Sequence, residues 1–220
     1  MASSPRRILL INPNSNVATT AMMAAIAKSA AAGDFDIISA TAMRAPTMIV
    51  SADTLEAAAL EVEEIALARQ NTCDGIIVSA FGDPGLALVK AAMGLPVVGI
   101  GESSILQAAE GGRRFGVATT TPLLKAKIDA LPDALGLRSR YTGCRFADGD
   151  PLELMRDPLR LRAALAGAVE ACIEHDRAEA VIIGGGPLGQ AARDLQSMFS
   201  VPIIAPIPAA VVRIIRLMST

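Results

Sequence analysis

The chain predicts an α/β protein of two pseudosymmetric lobes, each a parallel sheet with helices on both faces. Three observations predict it. Short aliphatic and β-branched runs alternate with longer Ala/Leu-rich segments along the chain, the pattern of βα units. The runs are almost continuously apolar, as strands covered on both faces require. Residues 74–86, Asp-Gly-Ile-Ile-Val-Ser-Ala-Phe-Gly-Asp-Pro-Gly-Leu, are echoed half a chain later by 179–188, Glu-Ala-Val-Ile-Ile-Gly-Gly-Gly-Pro-Leu. Each copy is followed by a helical segment and a Pro-led strand, at Pro96 and Pro202, and the doublets Arg6-Arg7 and Arg113-Arg114 open matching strands. Such self-similarity indicates duplication.

Taken in order, the first half predicts strands over 7–11, 35–38, 75–78 and 96–100. Between them lie helices over Val17–Ala31, 54–69 and 84–93. Asp83 is the expected N-cap of the last of these, with Pro84 at its first position. The second half predicts strands over 114–118, 180–183 and 202–204. Its helices start at Pro122, cover Pro158–Glu174 and 188–198, and resume from about Ala209 to the end. Thr121-Pro122 repeats the cap-then-Pro pattern. The region around Cys144, with Asp148 and Asp150, reads as irregular. The expected lobes are 1–98 with 206–220, and 99–205.

Composition narrows the function. The 220 residues, 22.7 kDa, suit one or two compact domains. Apolar residues make up 52%, enough for a core, and 20 Lys+Arg against 22 Asp+Glu give a charge of −2. No basic field exists for nucleic-acid binding. Aromatics at 3% exclude stacking platforms. One histidine, His175, and three scattered cysteines, Cys73, Cys144 and Cys172, make neither a zinc set nor a disulfide framework. His175 reads as a surface residue at a helix end. The most apolar stretch, 201–212, is broken by Pro202, Pro206 and Pro208, so no membrane span is expected. The opening residues show no charged-then-apolar leader. The expectation is a cytoplasmic protein with no cofactor and no metal, acting on a small molecule. Its Ala-rich helices suggest a homo-oligomer.

In parallel sheets, ligands bind beyond the carboxyl ends of strands, where main-chain N–H groups are available. Four such junctions stand out: Asn12-Pro13-Asn14-Ser15, Phe81-Gly82-Asp83-Pro84-Gly85, Thr119-Thr120-Thr121-Pro122 and Gly184-Gly185-Gly186-Pro187. Taken singly, each reads as ordinary capping or turn chemistry. Together they predict a cleft between the lobes that holds a small anionic or amide-bearing ligand. The candidate binding residues are Asn14, Ser15, Ser79, Ala80, Phe81, Gly82, Thr119, Thr120, Gly185, Gly186, Pro187 and Leu188. Gly184-x-Gly186-x-x-Gly189 is not a dinucleotide fingerprint, because no acid follows at the required distance and Pro187 sits inside the turn. No Lys-bearing phosphate loop and no Gly-x-Ser-x-Gly elbow occurs.

The junction motifs, with Gly101-Glu102 and 115–120 (Phe-Gly-Val-Ala-Thr-Thr), resemble the aspartate/glutamate/hydantoin racemase superfamily, and within it the hydantoin and allantoin racemase branch. The resemblance runs from Ile8 to about Val212. It implies an isomerase that forms an enolate on a small carboxylate, hydantoin or ureide, without a cofactor. It also implies a two-base site with one cysteine per lobe. Those positions are Ala80 and Gly185 here, and Ala205-Pro206 stands where an acid is often found. Cys73 lies at the amino end of its strand, roughly 20 Å from the carboxyl end. Cys172 reads as a structural thiol within a helix. Asp83 and Glu102 are the remaining candidate proton carriers, with a water positioned by Ser79 and Thr120 as a further possibility. Ala80 and Gly185 could also mark an engineered inactive variant. Two other functions stay open: a cysteine-less lyase, decarboxylase or ring-opening hydrolase, and a non-catalytic binder.

Overall fold

The computed structural model describes residues 5–31, 33 and 35–219. Met1, Ala2, Ser3 and Ser4, where the expectation of no leader falls, lie outside them. The elements are β1 (Arg6–Asn12), α1 (Val17–Ala31), β2 (Phe35–Thr41), α2 (Ala52–Arg69), β3 (Gly75–Val78), α3 (Leu86–Ala92), β4 (Val97–Gly99), α4 (Ile100–Ala108), β5 (Phe115–Thr119), α5 (Lys125–Ala134), β6 (Tyr141–Phe146), α6 (Pro151–Leu154), α7 (Pro158–Glu174), β7 (Ala180–Ile183), α8 (Gly189–Gln196), β8 (Ile203–Ile204) and α9 (Pro206–Met218). Short 3₁₀ turns join several of them. No helix among the described residues is long and apolar enough to cross a membrane.

The chain divides into two compact units. Unit 1 runs through Ile49, continues over Asp53–Ile100 and resumes at Ile207; unit 2 takes Val50–Ala52 and Gly101–Pro206. Unit 1 holds a four-stranded parallel sheet in the order β2-β1-β3-β4. Ile8, Leu9, Leu10 and Ile11 are all fully buried, so β1 is covered on both faces. Leu9, Ile11, Ile76 and Val78 pack with Val62 and Ala66 of α2 and Val89 of α3. On β3, Ile214 of α9 sits so close to Gly75 that a Cβ there would lie 2.9 Å from its Cδ1. Unit 2 repeats the design in the order β6-β5-β7-β8, again parallel. Ala118, Val181 and Ile183 pack with Leu165 and Val169 of α7 and Leu195 of α8.

The duplication extends to individual hydrogen bonds. At the amino edge, the Arg7 N–H donates to the Asp74 carboxylate at 2.7 Å and the Asp74 N–H returns to the Arg7 carbonyl. In unit 2, the Arg114 N–H donates to the Glu179 carboxylate at 2.7 Å and the Glu179 N–H returns to Arg114. At the carboxyl edge, the Ser79 N–H donates to the Ile11 carbonyl at 2.9 Å, and the Gly184 N–H to the Ala118 carbonyl at 2.8 Å. One chain rule builds both sheets.

Three elements differ from expectation. The region around Cys144 is β6, an edge strand. Gly143 and the exposed Arg145 interrupt its apolar run, and its register against β5 shifts at Phe115/Gly116. Helix α4 follows β4 with no intervening turn residue, and its Gly101, Ser103 and Ser104 are weak helix formers. Asp83 does not cap α3: that helix begins at Leu86, after Gly85 at φ +73°. Thr121 likewise makes no side-chain cap before Pro122. Asn16 caps α1 through Thr19, and Asp157 caps α7 through Leu159 and Arg160.

Asp74→Ala and Glu179→Ala should each cost about 1 kcal/mol, as the Arg7 or Arg114 amide loses a charged acceptor. The midpoint of urea unfolding measures this, with the slope expected unchanged.

Candidate functional site

In each unit, β1 and β3, or β5 and β7, leave the middle of the sheet with their next helices on opposite sides. This is the topological switch point at which open α/β sheets bind ligands. Both switch points are secured by a buried hydroxyl. In unit 1, Ser79 Oγ, from the end of β3, donates to the Ile11 carbonyl at 2.7 Å. In unit 2, Thr119 Oγ1, from the end of β5, donates to the Gly184 carbonyl. These two expected site residues therefore fix their loops, and Ser79 has its proton committed to the backbone.

The loop after β1 is ordered by Asn12, which is fully buried. Its Nδ2 donates to Asn14 Oδ1 at 3.0 Å and Thr20 Oγ1 at 2.9 Å, and its Oδ1 accepts from the Asn14 N–H. Asn14 Oδ1 also accepts from the Asn16 N–H. Asn14 Nδ2 and the Ser15 hydroxyl have no hydrogen-bond partner among the described residues. Asn12 was legible inside the Asn-Pro-Asn-Ser motif, but its role as the loop's organiser was not.

The loop after β3 carries most of the site. Gly82 has φ +122°, and a Cβ there would lie 2.8 Å from Leu55 Cδ2 of α2. Asp83 follows at φ +50°, and its N–H closes a turn onto the Ala80 carbonyl at 3.0 Å. The N–H groups of Ala80, Phe81 and Gly82 then have no acceptor among the described residues. Successive free N–H groups in such a turn form an anion-binding concavity. Asp83 is 8% exposed, and its carboxylate fills the space that a Cβ on Gly99 would need. Gly99 thus seats Asp83 against the end of β4. No sequence pattern pointed to that role.

The corresponding loop of unit 2 is narrower than expected. The Gly185 N–H donates to the Ile183 carbonyl at 3.0 Å and the Leu188 N–H to the Gly185 carbonyl at 3.1 Å. Pro187 has no N–H. The expected donor run 185–188 reduces to Gly186, whose N–H has no acceptor among the described residues. The Thr120 hydroxyl and N–H are likewise without a partner there, although Thr120 is only 2% exposed. The side chain of Leu188 occupies the space above Gly185, where a Cβ would lie 2.9 Å from its Cδ1.

Glu102 is 7% exposed, in the first turn of α4. The cysteines are elsewhere. Cys73 precedes β3 at its amino end, Cys144 lies within β6, and Cys172 of α7 packs over Gly116 and donates to the Val117 carbonyl. All three are buried and free. Burial pushes the Cys144 and Cys172 thiols up to about 12 and raises that of Cys73. His175 is exposed at the end of α7.

With this geometry in hand, comparison with known proteins identifies the family. Residues 8–214 match the family described as Asp/Glu/Hydantoin racemase. The chain belongs to that family. A hydantoin racemase from Pseudomonas sp. (strain NS671) is 32% identical over 206 residues, covering 93% of this chain and 83% of the relative. The structure of an allantoin racemase from Klebsiella pneumoniae superposes with a TM-score of 0.92 at 26% identity, covering 97% of this chain and 88% of that one. Arylmalonate decarboxylase shares the fold, with a TM-score of 0.65 at 18% identity, covering 96% of this chain and 92% of that one.

Gly99→Ala should destabilise by about 2 kcal/mol, because the new Cβ displaces a buried carboxylate. Asp83→Ala in the same chain should restore part of that loss, as a double-mutant cycle in urea would show. The thiols should resist a disulfide reagent at pH 8 in the native protein and react fully once it is unfolded. Their raised pKa values also set a pH dependence. Below about 9 both folded and unfolded thiols are neutral. Above it the unfolded chain loses protons that folded Cys144 and Cys172 keep up to about 12, so stability should fall across that window.

Proposed function

We propose that this racemase-family protein is an isomerase that labilises a C–H bond next to the carbonyl of a hydantoin, ureide or small carboxylate. The observation that carries this reading is the run of free N–H groups at residues 80–82. Removing such a proton moves negative charge onto the carbonyl oxygen. Fixed N–H donors stabilise that enolate most where water is excluded. Asn14 Nδ2 and the Ser15 hydroxyl, on the neighbouring loop of the same unit, orient the rest of the substrate, a planar ring rich in C=O and N–H groups. The chemistry needs no cofactor. Three free cysteines fit a reducing, cytoplasmic setting.

Ala80 and Gly185 stand where the racemase pattern places its thiols, so proton transfer falls to carboxylates. Glu102 and Asp83 are the proposed carriers, one removing the proton and the other returning a proton to the opposite face; Asp83 also holds the 80–82 turn in place over Gly99. A second reading is favoured by the location of the cysteines, none of which lies at the carboxyl end of β3 or β7. One carboxylate suffices for a decarboxylation, elimination or ring opening on the same donors, and binding alone requires no carrier.

Incubation of the purified chain in D₂O with a panel of 5-substituted hydantoins, allantoin and amino acids separates these readings. Deuterium at the stereocentre together with loss of optical activity supports the isomerase. A mass change other than exchange moves the assignment to the second reading. Thermal stabilisation with neither outcome leaves a binder. Glu102→Gln should reduce exchange by about 10²–10⁴-fold, the range of general acid–base catalysis. Asn14→Ala and Ser15→Ala should each lower kcat/KM by about tenfold, the worth of one hydrogen bond of about 1.4 kcal/mol.

A further inference from the structure

One carboxylate of unit 1 serves a loop rather than its own helix. Glu61 lies midway along α2, and its side chain is 13% exposed. Its Oε1 accepts from the Met43 N–H at 2.8 Å, and both of its oxygens accept from the Arg44 N–H, at 3.2 and 3.1 Å. Bonds to a charged acceptor are about twice as strong as neutral ones. The Arg44 guanidinium folds back towards Glu61 and Glu64. The turn that follows β2 is thereby clamped to α2.

The clamped turn supports the candidate site. Its Pro46 carbonyl accepts from the Ser15 N–H at 3.1 Å. At its start, the Ala42 N–H donates to the Asn12 carbonyl at 2.9 Å. Thr41 Oγ1 lies 2.7 Å from Thr20 Oγ1, which accepts from Asn12 Nδ2. The turn after β2 therefore braces the loop of Asn14 and Ser15 from both ends.

Unit 2 shows that the fold does not need such a clamp. There the Ala147 N–H donates to the Thr119 carbonyl at 2.8 Å, the counterpart of Ala42 on Asn12. The next N–H groups, of Asp148 and Gly149, match those of Met43 and Arg44 and have no acceptor among the described residues. Both residues are exposed, so water serves them. Where α2 offers Glu61, α7 borders an open groove with Ala163, Gly167 and Ala171. Met43 and Arg44 are exposed as well, so water is available to their amides too. What the carboxylate adds in unit 1 is a fixed position for the turn that carries Pro46. We propose that Glu61 is a positioning residue: through Met43, Arg44 and the Pro46 carbonyl, it holds the Ser15 hydroxyl in place for the substrate. The inference rests on the reading that Ser15 orients that substrate.

Hydrogen exchange and steady-state kinetics of the full chain test this. In Glu61→Ala without substrate, the Ser15 amide should exchange at least about tenfold faster, as its loop opens locally. With the best hydantoin of the panel, KM should rise about tenfold and kcat change less than about twofold, the mark of lost uniform binding. A purely structural loss of folded molecules would instead lower kcat at unchanged KM. Glu61→Gln keeps Oε1 as an acceptor for both amides and should stay within about twofold of the wild type. Glu64→Ala removes only an exposed partner of the Arg44 side chain and should leave KM unchanged. In a Ser15→Ala background, Glu61→Ala should add less than about twofold, because its effect passes through Ser15. An unchanged Ser15 exchange rate or an unchanged KM in Glu61→Ala overturns the proposal. So does a Gln variant no better than Ala, or a loss that persists in full without the Ser15 hydroxyl. A wild type that turns over none of the panel defeats the isomerase reading separately. The dissociation constant of a planar cyclic imide anion then takes the place of KM in the same comparisons.

Discussion

Main-chain N–H groups that cannot be used inside a sheet are the constraint on which this structure rests. A parallel strand that ends at a switch point leaves donors with no neighbouring carbonyl. A buried donor without a partner costs free energy, so such groups persist where solvent or a ligand can reach them. In unit 1 the turn after β3 withholds Ala80, Phe81 and Gly82 from any acceptor among the described residues. The surrounding residues serve that turn. Leu55 packs where a Gly82 side chain would be, Asp83 closes the turn onto Ala80, and Gly99 gives up its Cβ so that the Asp83 carboxylate can lie over β4.

The duplicated units show how one frame is used unequally. Their sheet orders and edge hydrogen bonds correspond strand by strand. Their switch-point loops do not. Unit 1 offers three consecutive donors. Unit 2 ties up Gly185 and Leu188 in local turns and fills the space above Gly185 with an aliphatic side chain. The frame itself is shared by structures of allantoin racemase and of arylmalonate decarboxylase, and a shared fold does not by itself fix the chemistry.

The fold was legible where local pattern and tertiary demand agree. Ile8 to Ile11, Gly75 to Val78 and Ala180 to Ile183 are continuous apolar runs because parallel strands are covered twice, and α1 and α7 begin and end where the sequence indicates. It was illegible where packing overrides pattern. β6 is an edge strand holding Gly143 and Arg145, so its periodicity is broken. Asp83 and Pro84 look like a helix start, but the chain first passes through three positive-φ residues, Gly82, Asp83 and Gly85, with α2 close against both glycines. The candidate site was legible as loops and not as donors. Asn12 and Asn14 share one motif, yet only three-dimensional hydrogen bonding shows that the first orders the loop while the second keeps an amide free.

The central claim is that substrate oxygen is held by specific main-chain amides. An amide-resolved ¹H–¹⁵N spectrum, titrated with the anion of a planar cyclic imide as an enolate mimic, tests this most directly. Saturable downfield shifts should concentrate on Ala80, Phe81 and Gly82. Saturable binding whose shifts fall on other loops, with residues 80–82 unmoved, would contradict it.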